Sequence, residues 1–324
     1  MSFTKQYLLK ITLLVISTIF ASSFNYCIAQ VVYKKQTTLM GSVFNFTVVD
    51  KDSATAALHF REAISEIDRI ENLISEWRPE TQISKVNQNA GIKAVKVDQE
   101  VFDLTKRAIA YAKMTDGAFD ISIAALDEIW KFDGSMDTLP SAEAVKKSVE
   151  NVGYQNIILD SINCTIFLAK KGMKIGFGSI GKGYAADEGK KMIMAKGITA
   201  GIVNASGDMA TWGKQPDGKP WVVGITNPFK RNRIYKKIRL KDNAVVTSGS
   251  YEKFAEIDGV RYSHIINPKT GLPAIGLISV TVVGPDAEFA NALSTSIMVL
   301  GKKEGLKLLK KYPDYKGILI QDRN

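Results

Sequence analysis

Strands and helices alternate in no regular order along this chain, and that irregularity predicts an α+β fold rather than a repeated βαβ series. Two further observations shape the prediction. A composition of 45% hydrophobic and 23% charged residues over 324 positions describes a globular chain, long enough for one large domain or two lobes, and excludes disorder. No repeat, low-complexity tract or Pro/Gly/Ser linker interrupts residues 30–324, so a single domain is expected there, with mixed, largely antiparallel sheets flanked by helices.

The first 29 residues stand apart. Lys5 and Lys10 precede the apolar run Ile11 to Phe20, and Cys27 and Ala29 occupy the −3 and −1 positions of a cleavage after Ala29. This reads as a secretory signal, with export as its consequence. An uncleaved anchor is the weaker reading, because the run is shorter than the ~20 residues of a spanning helix. A lipoprotein at Cys27 is weaker still, since Phe24, Asn25 and Tyr26 are bulky. Cleavage would remove two lysines and no acid, taking the net charge from +10 to +8. That excess suits an anionic ligand or association with a membrane surface.

Val43 to Val49 reads as a strand, and Ser53 to Glu76 as a helix with Ile67, Ile70 and Ile74 on one stripe. A second helix is expected over Gln99 to Lys113, where Val101, Leu104 and Ala108 keep the helical period. Strands at Asn156 to Leu159 and Cys164 to Ala169 flank Asp160-Ser161, a hairpin turn. Cys164 remains the one cysteine after cleavage, so no intramolecular disulfide can form; its alternation with Ile162, Ile166 and Leu168 places it on a buried strand face. Beyond a glycine cluster, a helix is expected from about Tyr184 to Ala195, then strands near Ile202 and, after the Pro216-Asp217-Gly218 turn, at Trp221 to Ile225. Strands at Ala244 to Thr247 and Ile278 to Val283 and helices at Ala287 to Leu300 and Lys302 to Lys311 complete the chain.

The chain has two histidines, which excludes a multi-histidine zinc site. His59 lies inside the first helix as a partly buried residue, and His264 is left as the candidate for acid-base work. The densest signal is Lys174-Ile-Gly-Phe-Gly-Ser-Ile-Gly-Lys-Gly-Tyr184, where four glycines join a short apolar strand to a helix. Such glycines let backbone N–H groups approach an anion at a helix start, and Lys182 adds a charge; phosphate is the natural guest, although a glycine-rich run serves equally as a plain turn. As a dinucleotide fingerprint the run lacks the acidic ribose residue about 20 positions on. As a nucleoside-triphosphate loop it has Gly183 where Ser or Thr would hold magnesium. His264-Ile-Ile-Asn-Pro-Lys-Thr-Gly-Leu-Pro273 is a proline-stiffened turn, Thr247-Ser-Gly-Ser-Tyr251 gathers hydroxyls at a strand end, and Asn291 and Thr295 share one helical face, where both oxygens could reach a hard cation.

In this order the clusters resemble the ApbE family of FAD:protein FMN transferases, from about Leu39 to Gly301. The likeness includes Met40-Gly41-Ser42, Leu73-Ile-Ser-Glu-Trp77 with Ile83-Ser-Lys-Val-Asn87, and Thr115-Asp-Gly-Ala-Phe-Asp120 leading to Ile129-Trp130. It continues through Gly178 to Asp187, Val203-Asn-Ala-Ser-Gly-Asp208, Trp221 to Ile225, Thr247 to Tyr251, His264 to Pro273 and Ala290 to Thr295. The resemblance implies FAD contacts at Met40, Trp77, Ala118, Phe119, Asp120, Lys182, His264 and Ile265. It implies Mg2+ held by the Ser179 carbonyl, Asn291 and Thr295, and catalytic roles for His264 and Asn291. The implied reaction is attack of an acceptor Thr or Ser hydroxyl on the FMN-side phosphorus of FAD, with AMP leaving. The implied partners are FAD and an acceptor flavoprotein, the flavin-carrying subunit of a redox pump or another exported electron-transfer protein, with no nucleic acid. The implied location is the periplasm or the outer face of the inner membrane.

Two residues depart from the pattern. The family commonly carries aspartate where this chain has Asn291, and another where it has Gly176. Losing a carboxylate should weaken a magnesium site. Two rival readings follow, an FAD pyrophosphatase giving FMN and AMP, and an FAD-binding protein without turnover.

Overall fold

A computed structural model describes residues 31–126, 129–250 and 253–322; the expected signal, residues 1–29, lies outside them, as does Tyr251. The expected α+β class is the one observed. Seven strands form the main sheet: β1 (Val31–Leu39), β2 (Ser42–Asp50), β6 (Gly201–Ala205), β7 (Asp208–Trp212), β10 (Ala244–Gly249), β13 (Leu277–Gly284) and β14 (Lys316–Gln321), in that spatial order. Every neighbouring pair is antiparallel. Small sheets are made by β3 (Val95–Lys96), β4 (Ile157–Asp160) and β5 (Thr165–Leu168), by β8 (Trp221–Asn227) with β9 (Lys230–Leu240), and by β11 (Phe254–Ile257) with β12 (Val260–Ser263).

Helix α1 (Ser53–Ile74) starts where Asp52 accepts the Thr55 N–H at 2.8 Å, and its buried stripe includes Ala56, Phe60, Ala63, Ile67, Ile70 and Ile74. It ends two residues before the expected Glu76, because Ser75 is extended and its carbonyl accepts the Thr81 and Ser84 hydroxyls. The helices α2 (Gln82–Gln88), α3 (Gln99–Met114) and α4 (Ala142–Ser148) follow. Helix α5 (Gly181–Ala195) begins three residues earlier than expected, which puts Lys182 and Gly183 in its first turn. In α6 (Ala287–Leu309) Gly301 has φ 74°, breaking the helix where two helices were expected to meet.

Helices α5 and α6 cross closely. A Cβ on Gly183 would stand 2.5 Å from the Ala287 carbonyl oxygen, so only glycine permits the approach. The buried Asp187 of α5 accepts the N–H groups of Ala287 and Glu288 at 2.8 and 3.0 Å, and Asp286 accepts that of Phe289, so two carboxylates cap the start of α6.

One expectation is corrected. Cys164 closes the β4–β5 turn with φ 53° and is half-buried, its thiol donating to the Val97 carbonyl at 3.2 Å. Ile162 is 94% exposed, and only Ile166 and Leu168 of the expected face are buried. The turn spans Ser161 to Cys164, longer than the two-residue turn that alternation had assumed, so the period starts at β5. Among the described residues no helix is long and apolar enough to cross a membrane.

Candidate active site

Two clefts meet at the first turn of α5. The smaller, about 340 Å³, is lined by Met40, Glu76, Trp77, Gly178 and Lys182 among others. The larger, about 630 Å³, is lined by Gly178, Ser179, Lys182, Asp208, Ser248, His264, Ile265, Asn291 and Thr295, with Trp130 and Phe132 on its wall. Gly178 and Lys182 belong to both.

Met40 has φ 50° in the tight turn between β1 and β2, and its N–H donates to Glu71 Oε2 at 2.8 Å. Trp77 follows the end of α1 and is 82% exposed, a flat face left uncovered at the rim. The Phe177 carbonyl accepts from both Ile180 and Gly181 N–H, which turns the chain into α5 and points its first residues at the clefts. Lys182 therefore sits on a helix start, where its ammonium adds to the field of the helix dipole.

Asp208 starts β7 after the tight turn at Ser206 (φ 56°) and Gly207 (φ 109°). Burial pushes its carboxyl up to about 7, against the pull of Lys182 and of the Asn291 amide. Asn291, buried on the first half of α6, donates Nδ2–H to Asp208 Oδ2 at 2.6 Å. A carboxylate only accepts, so the contact turns the amide nitrogen toward Asp208 and leaves Oδ1 as the oxygen offered elsewhere. One turn further along, Thr295 lies 3.4 Å from Ser248 Oγ, which also meets Ser294 Oγ at 2.8 Å. His264 pairs its Nδ1 with the Lys253 carbonyl at 3.0 Å; the carbonyl can only accept, so Nδ1 carries the proton and Nε2 is the basic nitrogen.

The structure thus gathers Ser179, Lys182, His264, Ile265, Asn291 and Thr295 in one cleft and Met40 and Trp77 in its neighbour. Ala118, Phe119 and Asp120 are buried and line neither. The Asp120 carboxylate is engaged by Ser122 N–H and Oγ–H and by Tyr154 N–H. The sequence reading assigned no role to Asp208 or Glu76. Asp208 carried a signal, a carboxylate after a Ser-Gly turn in a quoted motif; Glu76 carried none beyond its place beside Trp77.

No group of three His, Cys, Asp or Glu side chains is placed to hold a metal among the described residues. The oxygen donors present, Asn291 Oδ1, the Thr295 hydroxyl and the Ser179 carbonyl, are hard and neutral. That set fits magnesium when ligand phosphates supply the remaining oxygens and the charge.

Fold and clefts define the class first: an α+β protein suited to an anionic, ring-bearing ligand laid across a helix start. The ApbE family profile matches residues 40–319, and the chain belongs to that family. It is 30% identical over 291 residues to an FAD:protein FMN transferase of Klebsiella pneumoniae (strain 342), covering 89% of each chain. Among solved structures it superposes on the ApbE protein of Thermotoga maritima with a TM-score of 0.81 at 32% identity, covering 90% of this chain and 94% of that one. The apo flavinyl transferase ApbE of Pseudomonas stutzeri gives 0.80 at 27%, covering 91% and 92%.

Proposed function

We propose that this chain transfers FMN from FAD to a Thr or Ser hydroxyl of an acceptor protein and releases AMP. The observation that carries the reading is the junction of the two clefts at Lys182, with an exposed indole on one side and the His264, Asn291 and Thr295 group on the other. A dinucleotide needs such a layout: a ring face at one end, cationic and N–H donors under its pyrophosphate, and room for a second ring and an incoming hydroxyl. In this reading Trp77 and Met40 hold the part of FAD in the smaller cleft, and Lys182 neutralises the phosphates.

The acceptor oxygen forms a bond to the FMN-side phosphorus while the anhydride bond to AMP breaks, and AMP leaves with the bonding pair. Basic Nε2 of His264 takes the hydroxyl proton. Asn291, Thr295 and the Ser179 carbonyl would hold magnesium, which supplies charge neutralisation at the phosphates when bound. We propose that the enzyme works outside the cytoplasm, after export directed by the N-terminal segment. Its acceptor is then an exported or membrane-held electron-transfer flavoprotein.

The test incubates the protein with FAD, magnesium and a candidate acceptor domain. Flavin fluorescence that stays on the acceptor after denaturing electrophoresis supports the proposal. Free FMN with an unlabelled acceptor points to a pyrophosphatase, and intact FAD to binding without turnover.

A further inference from the structure

Gly176 is not a glycine that its backbone demands, since it is absent from the positive-φ positions. The space beside it is occupied instead. A Cβ built on Gly176 would stand 2.6 Å from Glu76 Oε1 and 2.8 Å from Glu76 Cδ, with Ala124 Cβ at 3.1 Å. The aspartate expected here from the resemblance and the Glu76 carboxylate are therefore alternatives for one volume. Glu76 reaches it from the segment after α1, 100 residues away in sequence.

The carboxylate is held there. Burial raises it above the usual carboxylate range, while the nearby backbone N–H groups of Phe177 and of Glu76 itself pull the other way. Its neighbours matter for the site. Phe177 supplies the carbonyl that starts the turn into α5, and residue 77 is the exposed indole of the smaller cleft.

We propose that Glu76 is a positioning residue for FAD: it supplies from the end of α1 the carboxylate that residue 176 lacks, and ties the Trp77 segment to the turn that presents Gly178 and Lys182. The inference rests on the reading of this cleft as the FAD site. Glycine at 176 and glutamate at 76 form one unit, in which either change alone is harmful and the paired exchange is tolerated.

The experiment measures FAD affinity by flavin fluorescence, with thermal unfolding followed in parallel, on the wild type, Glu76→Ala, Gly176→Asp and the double variant. Glu76→Ala should weaken FAD roughly tenfold, the scale of one lost hydrogen bond to a charged group. Gly176→Asp should weaken it as well, because two carboxyl groups would share one space. The double variant should recover to within about threefold of the wild type, since the carboxylate returns from the other side. Glu76→Gln, which keeps an acceptor for the Phe177 N–H, should fall between wild type and Glu76→Ala. Should Gly176→Asp alone fail to fold, comparison of the double variant with Glu76→Ala still decides. A double variant that binds no better than Glu76→Ala, or a Glu76→Ala that binds as the wild type does, overturns this inference and leaves the FAD site standing. A wild type that does not bind FAD overturns both.

Discussion

At Asn291 the amide that replaces an expected carboxylate lies 2.6 Å from Asp208 Oδ2, a group that burial has already made a reluctant anion. Restoring the carboxylate would bring two acids into contact, with at most one shared proton between them in place of the amide donor. Asn291→Asp should therefore lower the melting temperature in EDTA by roughly 5 °C or more, as expected for a broken buried polar pair. Magnesium with FAD should reverse that loss, because a divalent cation and the variant carboxylate attract. The wild type should shift less with magnesium, having a neutral amide oxygen where the variant has a carboxylate. Thermal unfolding of both proteins with and without magnesium checks this. Identical magnesium responses would mean that residue 291 does not touch the metal. At this scale the sequence supplied identities and spacing: Asn291 and Thr295 fall on one helical face because four residues make about one turn. It did not supply Asp208 as the partner, since the two lie 83 positions apart and meet only through the sheet.

Helices α5 and α6 carry the rest of the site, Lys182 on one and Asn291 with Thr295 on the other, so their crossing sets the distance between those groups. Gly183→Ala would press a methyl onto the Ala287 backbone, which has no rotamer to yield. It should cost about 1–3 kcal/mol of stability, read as a lower urea midpoint. FAD turnover should drop in the fraction that stays folded. Asp187 adds a pH dependence to the same crossing. Burial raises its carboxyl to about 7 from 3.8, and nearby Asp286 pushes the same way, while Lys190 and the two N–H groups oppose. Between those values the unfolded chain releases the proton and the folded chain keeps it. The contribution is therefore complete below about pH 4 and lost as pH rises through about 7. Asp187→Asn cannot titrate, so its urea midpoint should change less between pH 4 and pH 8 than that of the wild type. Equal slopes would remove Asp187 from the account. The elements that the sequence showed well were those with strong apolar periodicity, α1 and α3 above all. It did not show β1 or β9, whose residues are mostly exposed and polar, so no apolar alternation marks them as strands. The β11–β12 hairpin carried the Asp258-Gly259 turn as a signal, with φ 52° and 75°.

For the molecule as a whole, the described part alone contains both clefts, so a chain starting at Gln30 should bind FAD as tightly as the full-length chain. A truncated protein that has lost FAD binding, while still unfolding cooperatively, would give residues 1–29 a part in the site. N-terminal sequencing of protein from native cells should return a start at Gln30; a start at Met1 would sink the cleavage proposal. By itself the sequence determined the class of fold, because apolar periods and turn chemistry act within a few residues of each other. It also determined which residue types were available, one histidine outside α1, one lysine among glycines, and an amide with a hydroxyl on one helix face. The tertiary structure decided which of them share a cleft, that Ala118, Phe119 and Asp120 are buried and line neither cleft, and that the volume beside Gly176 is filled by Glu76. Those outcomes depend on contacts between residues tens to a hundred positions apart, fixed by sheet order and helix crossing, and no local pattern encodes such contacts.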